Sequence, residues 1–203
     1  MNFAAFDSSS RSPRGVEDDV PRHTLKILVA GGFGVGKTTL VGAVSEIRPL
    51  RTEEELTEVG DAVDDLRGVE RKATTTVAMD FGRLTFPGGI RLYLFGTPGQ
   101  ERFWFMWDRI SYGAIGAVVL VDTRRLTASF AGIDFFEQRG IPFLVAVNCF
   151  DGARRYTVEQ IRDALDVDPH VPVMLCDVRR HDLARDVLVA LVEHALRFSG
   201  RGH

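Results

Sequence analysis

Apolar residues along this chain come in short dense runs separated by longer mixed segments. Leu25-Lys26-Ile27-Leu28-Val29-Ala30-Gly31 is the first such run, and it ends in glycines. A run of that length bounded by turn residues predicts a buried strand. A helix is expected next, from Lys37 to about Ile47. VAMDFGRLTF and IRLYLF flank Pro87-Gly88-Gly89, which predicts a hairpin. GAVVLVD, IPFLVAVN and VPVMLC predict three further buried strands. Helices are expected around Leu126–Gln138, over TVEQIRDAL and over HDLARDVLVALVEHAL, where Leu183, Val187, Leu191 and Ala195 share one face. Residues 48–75 are polar and strongly charged, and the expectation there is a long mobile connection with a helical turn or two. Residues 1–22 are rich in Ser, Arg, Asp and Pro and lack periodicity, so they read as a disordered tail before one domain spanning 23–203.

Strands alternating with helices imply an α/β fold: a mostly parallel sheet, helices on both faces, and one antiparallel edge strand from the hairpin. In such sheets ligands bind at the carboxyl ends of the strands. The candidate motifs all fall at those ends.

Composition narrows the partners. With 203 residues, 45% hydrophobic and 26% charged, the chain has enough material for one soluble domain with a sizeable core. A net charge of −3 offers no basic field, so nucleic acid is not expected as a partner. Cys149 and Cys176 give neither a disulfide framework nor a metal-binding spacing and fit a reducing compartment. The five histidines are scattered, and the acidic segment Glu53–Glu58 reads as a solvated face. No apolar run reaches the length of a membrane span. The expected location is therefore the cytoplasm, without direct membrane insertion.

The strongest chemical signal is Gly31-Gly32-Phe33-Gly34-Val35-Gly36-Lys37-Thr38, which fits G-x-x-x-x-G-K-[ST] between a strand and a helix. Glycines let successive backbone N–H groups curl round a phosphate, and the helix N-terminus adds its dipole. Lys37 supplies a point charge for the β- and γ-phosphates, and Thr38 a hydroxyl for Mg²⁺. Asn148-Cys149-Phe150-Asp151 follows a strand. A carboxylate there accepts from two N–H groups of guanine, a pair that adenine lacks. Asn148 is suited to bind the base and to tie this loop to the phosphate loop. The bland reading of N-x-x-D is an Asx turn.

Two more stretches, Thr74-Thr75-Thr76-Val77-Ala78-Met79-Asp80-Phe81 and Gly96-Thr97-Pro98-Gly99-Gln100-Glu101-Arg102-Phe103, complete the pattern. With them, residues 25–198 resemble the Ras-like small GTPases, a P-loop NTPase fold. Within that superfamily the wording is similar to the bacterial MglA-like branch and to the actinobacterial conservon (CvnD-type) proteins. The resemblance implies a GTP-dependent molecular switch that hydrolyses GTP to GDP slowly, with Mg²⁺ as cofactor. It implies a roadblock-domain (MglB-like) partner, and a membrane sensor-kinase-like protein in the same signalling complex. Any membrane association would come through such partners. Thr76 matches the switch I threonine of the pattern T-x-x-x-D-F, and the metal ligands implied are Thr38 and Thr76. Gly99 contacts the γ-phosphate in this scheme, and Gln100 orients the attacking water. Cys176 and Asp177 fall in the base-contacting loop usually written S-A-K. The nucleotide-binding set is then Gly31, Gly32, Phe33, Gly34, Val35, Gly36, Lys37, Thr38, Thr39, Thr76, Gly99, Asn148, Asp151, Cys176 and Asp177, with Gln100 catalytic.

Four positions depart from the Ras pattern. Gly96 replaces an acid that holds a metal-bound water, which weakens the Mg²⁺ site. Phe33 replaces a glycine near the γ-phosphate and crowds Gln100 or an arginine delivered in trans. Cys149 replaces a lysine whose stem covers the base. Asp177 replaces a small alanine, so its carboxylate must point away from the nucleotide. Arg102 and Arg109 are candidates for an arginine finger in cis. In the run Phe103-Trp104-Phe105-Met106-Trp107 one or two aromatics are expected to face solvent as a partner surface. Two other classes stand beside the switch: a pseudo-GTPase that binds nucleotide without turnover, and an ATP-using phosphotransferase, against which Asp151 and the GQERF loop argue.

Overall fold

The computed structural model describes residues 21–58 and 73–200. The expected tail, apart from Pro21 and Arg22, and residues 59–72 of the expected connection lie outside these residues.

Seven strands form one sheet in the order β2-β3-β4-β1-β5-β6-β7. They are β1 (His23–Ala30), β2 (Leu50–Glu58), β3 (Ala73–Phe86), β4 (Ile90–Gly96), β5 (Ala114–Val121), β6 (Phe143–Asn148) and β7 (Val173–Cys176). The helices are α1 (Lys37–Val44), α2 (Trp107–Ser111), α3 (Phe130–Gln138), α4 (Val158–Leu165) and α5 (His181–Ser199). The pairings β4–β1, β1–β5, β5–β6 and β6–β7 are parallel, while β3 runs antiparallel to both β2 and β4.

The connection expected over residues 48–75 is corrected at both ends, since Ala73–Thr75 already belong to β3. Leu50–Glu58 is a strand paired along β3 from Leu50↔Phe81 to Glu58↔Ala73. The antiparallel strand β3 is therefore one place in from the edge, and β2 covers it. A bare edge leaves a row of N–H and C=O groups unmet, and a charged sequence such as LRTEEELTE suits the outermost position. Its lack of an apolar run is why it reads as a connection.

Alternation along the buried strands sorts side chains to two faces. Ile27 and Val29 join Leu92, Leu94, Val118 and Leu120 in a core closed by Leu40 and Val41 of α1 and Leu188 and Leu191 of α5. Leu28 and Ala30 point the other way, to Val119, Val145, Trp107, Ile133, Phe136 and Ile161. Strands buried on both faces must be apolar throughout, which explains the unbroken runs of β5 and β6. The predicted stripe of α5 is buried at Val187, Leu191 and Ala195 and half-buried at Leu183.

Helix α4 shows how local sequence fixes a boundary. Thr157 Oγ1 accepts from Gln160 N at 3.2 Å, and Gln160 Oε1 accepts from Thr157 N at 3.0 Å, a reciprocal capping box. Thr157→Ala is expected to lower unfolding stability by about 1 kcal/mol, measured by urea denaturation.

Candidate nucleotide site

The carboxyl ends of β1, β4, β6 and β7 meet at one pole, and the sequence-predicted residues gather there. The phosphate loop leaves β1 and enters α1 at Lys37. Gly36 adopts φ 110°, and a Cβ there would lie 2.7 Å from Asn148 Nδ2, so both backbone conformation and space demand glycine. Lys37 Nζ donates to the carbonyls of Gly31 and Gly32, both at 2.8 Å. Burial pushes this amine down to about 8, and the nearby Asp80 carboxylate partly opposes that. An anion bound in the loop would favour the charged form, which is the form a phosphate recruits.

Gly99 lies directly on this loop. A Cβ there would stand 2.5 Å from Lys37 Nζ and 3.0 Å from the Gly32 carbonyl. Gln100 follows it and is exposed. Phe33, expected to crowd Gln100 or an arginine delivered in trans, is 69% exposed. Its carbonyl accepts from Arg125 Nη2 at 3.0 Å. Arg125 also pairs at 3.6 Å with buried Asp122, whose carboxylate Arg124 grips through two nitrogens. Thr39 is exposed on the first turn of α1, beside Thr38.

Asp80 is the residue that sequence reasoning used only as a landmark. It stands directly opposite Gly96 across β3 and β4. A Cβ on Gly96 would lie 3.1 Å from Asp80 Cβ and 3.3 Å from Asp80 Oδ2. The carboxylate missing from position 96 is thus matched by one from the facing strand, occupying the adjacent space. Thr38 Oγ1 donates to Asp80 Oδ2 at 2.5 Å. A hydroxyl and a carboxylate together are the hard oxygen donors that Mg²⁺ takes. Thr76 lies in β3 opposite Glu55, four residues before Asp80. At strand spacing that is about 13 Å along the chain. The β3 residue that meets Thr38 is Asp80.

At the other side of the pole Asn148 joins three segments. Its Nδ2 donates to Val35 O at 3.0 Å in the phosphate loop, and its Oδ1 accepts from Val178 N at 3.4 Å. Cys149 N donates to Cys176 O at 2.7 Å, bringing the β6 and β7 loops side by side. The Cys176 thiol is pushed up to about 12, chiefly by burial, so it is a poor nucleophile. Asp177 and Asp151 are both held by Arg179, which the motif reading overlooked. The Arg179 contacts hold the Asp177 carboxyl down at about 2. Arg124 lies over the Phe150 ring at 3.9 Å and braces the same loop.

The aromatic run after Gln100 divides as expected. Phe103 and Trp107 are buried, while Trp104 is 37% and Phe105 64% exposed. Trp107 Nε1 donates to Pro98 O at 3.3 Å, tying α2 to the loop that carries Gly99. Of the two arginine-finger candidates, Arg109 is exposed on α2, and the Arg102 side chain lies outside the described residues. A concavity of about 990 Å³ opens at the opposite pole beside Gly140, Pro142 and Pro172, and none of the candidate site residues lines it. Among the described residues no helix is long and apolar enough to cross a membrane.

The family described as conserved hypothetical ATP binding protein matches residues 29–198. The chain belongs to that family. An uncharacterized protein of Methanocaldococcus jannaschii is 33% identical over 129 residues, covering 63% of this chain and 71% of that protein. Among solved structures, the G domain of the T. maritima FeoB iron transporter superposes with a TM-score of 0.56 at 17% identity, covering 87% of this chain and 99% of that domain. The cytosolic domain of the same transporter in a GDP form gives a TM-score of 0.61 at 18% identity, covering 86% of this chain. The chain spans 64% of the length of that cytosolic domain. At such identities the likeness is one of fold. The chain thus has the fold of a G domain and belongs to a family described as ATP binding.

Proposed function

We propose that this protein is a guanine-nucleotide switch that hydrolyses GTP slowly. The observation that carries the reading is the hydrogen bond from Asn148 Nδ2 to Val35 O, which locks the base loop and the phosphate loop into one site. In this reading the N–H groups of Gly31–Thr39 and the Lys37 amine hold the phosphates. Asp151 accepts the paired N–H groups of guanine, and backbone at Cys176 and Asp177 approaches the base edge. Gly99 senses the γ-phosphate, and Gln100 orients the attacking water. Phe33 stands exposed on the phosphate loop, and slow turnover is the expected result of a ring set near Gln100 or an incoming arginine.

Thr38 and Asp80 would hold Mg²⁺, with Thr76 completing the set expected in the GTP state. When bound, the ion neutralises charge on the β- and γ-phosphate oxygens. Asp80 supports this fit, because it offers from β3 the carboxylate that position 96 lacks.

The MglA-like and conservon resemblance supports a signalling complex with a roadblock-domain partner and a membrane sensor-kinase-like protein. Trp104 and Phe105, exposed beside Gln100, are the surface such a partner would use. A pseudo-GTPase reading draws on Cys149 and Gly96, which remove a base-covering stem and an acid. Single-turnover phosphate release from bound GTP separates the two. The switch reading expects slow release that falls at least about tenfold in Gln100→Ala. No release, with or without a roadblock protein added, would leave only the binding module.

A further inference from the structure

The base end of the site contains an interaction that no motif foretells. Arg179 Nη1 and Nη2 donate to the two oxygens of Asp151 at 2.6 and 3.0 Å. Its Nε and Nη2 also donate to the two oxygens of Asp177 at 2.8 and 2.7 Å. One planar guanidinium therefore faces two carboxylates, one from the loop after β6 and one from the loop after β7. Both oxygens of Asp151 are engaged by a planar pair of N–H donors, as a guanine edge would engage them.

We infer that Arg179 is a built-in competitor for the base, capping Asp151 until guanine replaces it. The inference rests on the proposed reading of Asp151 as the guanine-recognising carboxylate. Three observations support the exchange. Guanine N1–H and N2–H₂ form a planar pair of donors, as the guanidinium does, so one carboxylate serves either but not both. The Asp151 side chain is 79% exposed and Arg179 54%, so water reaches the pair and it opens at small cost. The Asp177 side chain is only 23% exposed, and it also accepts from Arg179 N at 3.0 Å. Asp177 thus keeps hold of Arg179 when Asp151 lets go. The arginine pivots at the rim of the site and returns when the base leaves.

This gives Asp177, which replaces the small residue usual in its loop, a use: it anchors the cap. It also makes Arg179 a specificity-determining residue. Adenine has no adjacent pair of N–H donors to exchange for the guanidinium, so its nucleotides gain nothing by opening the ion pair. Guanine nucleotides open it at a net loss of affinity.

The test is the affinity of the full chain for labelled GDP and, by competition, ADP, in wild type, Arg179→Ala, Arg179→Lys and Asp151→Asn, with folding checked by thermal melts. Arg179→Ala is expected to tighten GDP about three- to tenfold, the range in which an exposed but bidentate ion pair competes. ADP should change less than about twofold, since it displaces nothing. Lysine cannot form the two-pronged contact, so Arg179→Lys should fall between. Salt screens the cap, so the advantage of Arg179→Ala should shrink between about 0.05 and 0.5 M salt. GDP affinity unchanged or weakened in Arg179→Ala overturns the competitor. If Asp151→Asn still abolishes the preference for GDP over ADP, that failure belongs to Arg179 alone. If Asp151→Asn leaves the preference as it was, or wild type has none, the guanine reading fails and the inference with it.

Discussion

Lys37→Ala is expected to weaken GDP and GTP binding about a hundredfold while leaving the fold intact. The amine is the one lysine at the phosphate loop, and it is drawn over the Gly31 and Gly32 carbonyls. Hydrogen bonds to a charged partner contribute about 1.5–3 kcal/mol each, and about 2.7 kcal/mol is a hundredfold in affinity. Without nucleotide the change in stability should be small. Two carbonyls lose a donor, but a half-buried amine that burial makes reluctant to carry charge is also removed. Fluorescence polarisation with labelled GDP, set beside urea unfolding, measures both. A variant that binds normally would remove Lys37 from the site, and one that unfolds would show that the amine is structural.

Asp80→Asn is expected to abolish most of the gain in GTP affinity that Mg²⁺ confers, about tenfold or more, with little change in Mg²⁺-free binding. Asparagine keeps the size and a carbonyl oxygen but loses the charge. Moving the carboxylate tests the geometry as well as the chemistry. Gly96→Asp alone would push a Cβ to within 3.1 Å of Asp80 Cβ and set two like charges opposite each other, so it should destabilise. Combined with Asp80→Gly, it should restore part of the Mg²⁺ effect, because the acid returns from the neighbouring strand to the same place. Magnesium titrations of the single and double variants give the comparison. Full Mg²⁺ dependence in Asp80→Asn would show that the ion is held without this carboxylate.

The phosphate loop was legible because its geometry is written in residue types. Gly36 must take a positive φ and clear Asn148, and only glycine does both. The buried strands were legible because burial on two faces leaves no room for polar positions. Strand β2 was not, since an edge strand needs no apolar alternation, and LRTEEELTE has none. Asp80 was hidden for a different reason. Its role depends on which residue it faces, and that is a matter of register. Yet the hairpin carried the signal. Phe86 and Ile90 pair across Pro87-Gly88-Gly89, and counting outward in step from them reaches Asp80 and Gly96 together. Arg179 could not be found by such counting. Its tie to Asp177 is local, but its tie to Asp151 exists only because β6 and β7 lie side by side.

In the proposed reading the loops after β1, β4, β6 and β7 form one guanine-nucleotide site. Calorimetric titration of the full chain with GDP, GTP, ADP and ATP, each with and without Mg²⁺, tests it most directly. The guanine nucleotides are expected to bind at least about tenfold more tightly than their adenine counterparts, the discrimination a carboxylate paired with two N–H donors provides. Mg²⁺ is expected to strengthen GTP binding. Equal affinities for GTP and ATP, or preference for ATP, would contradict a guanine site.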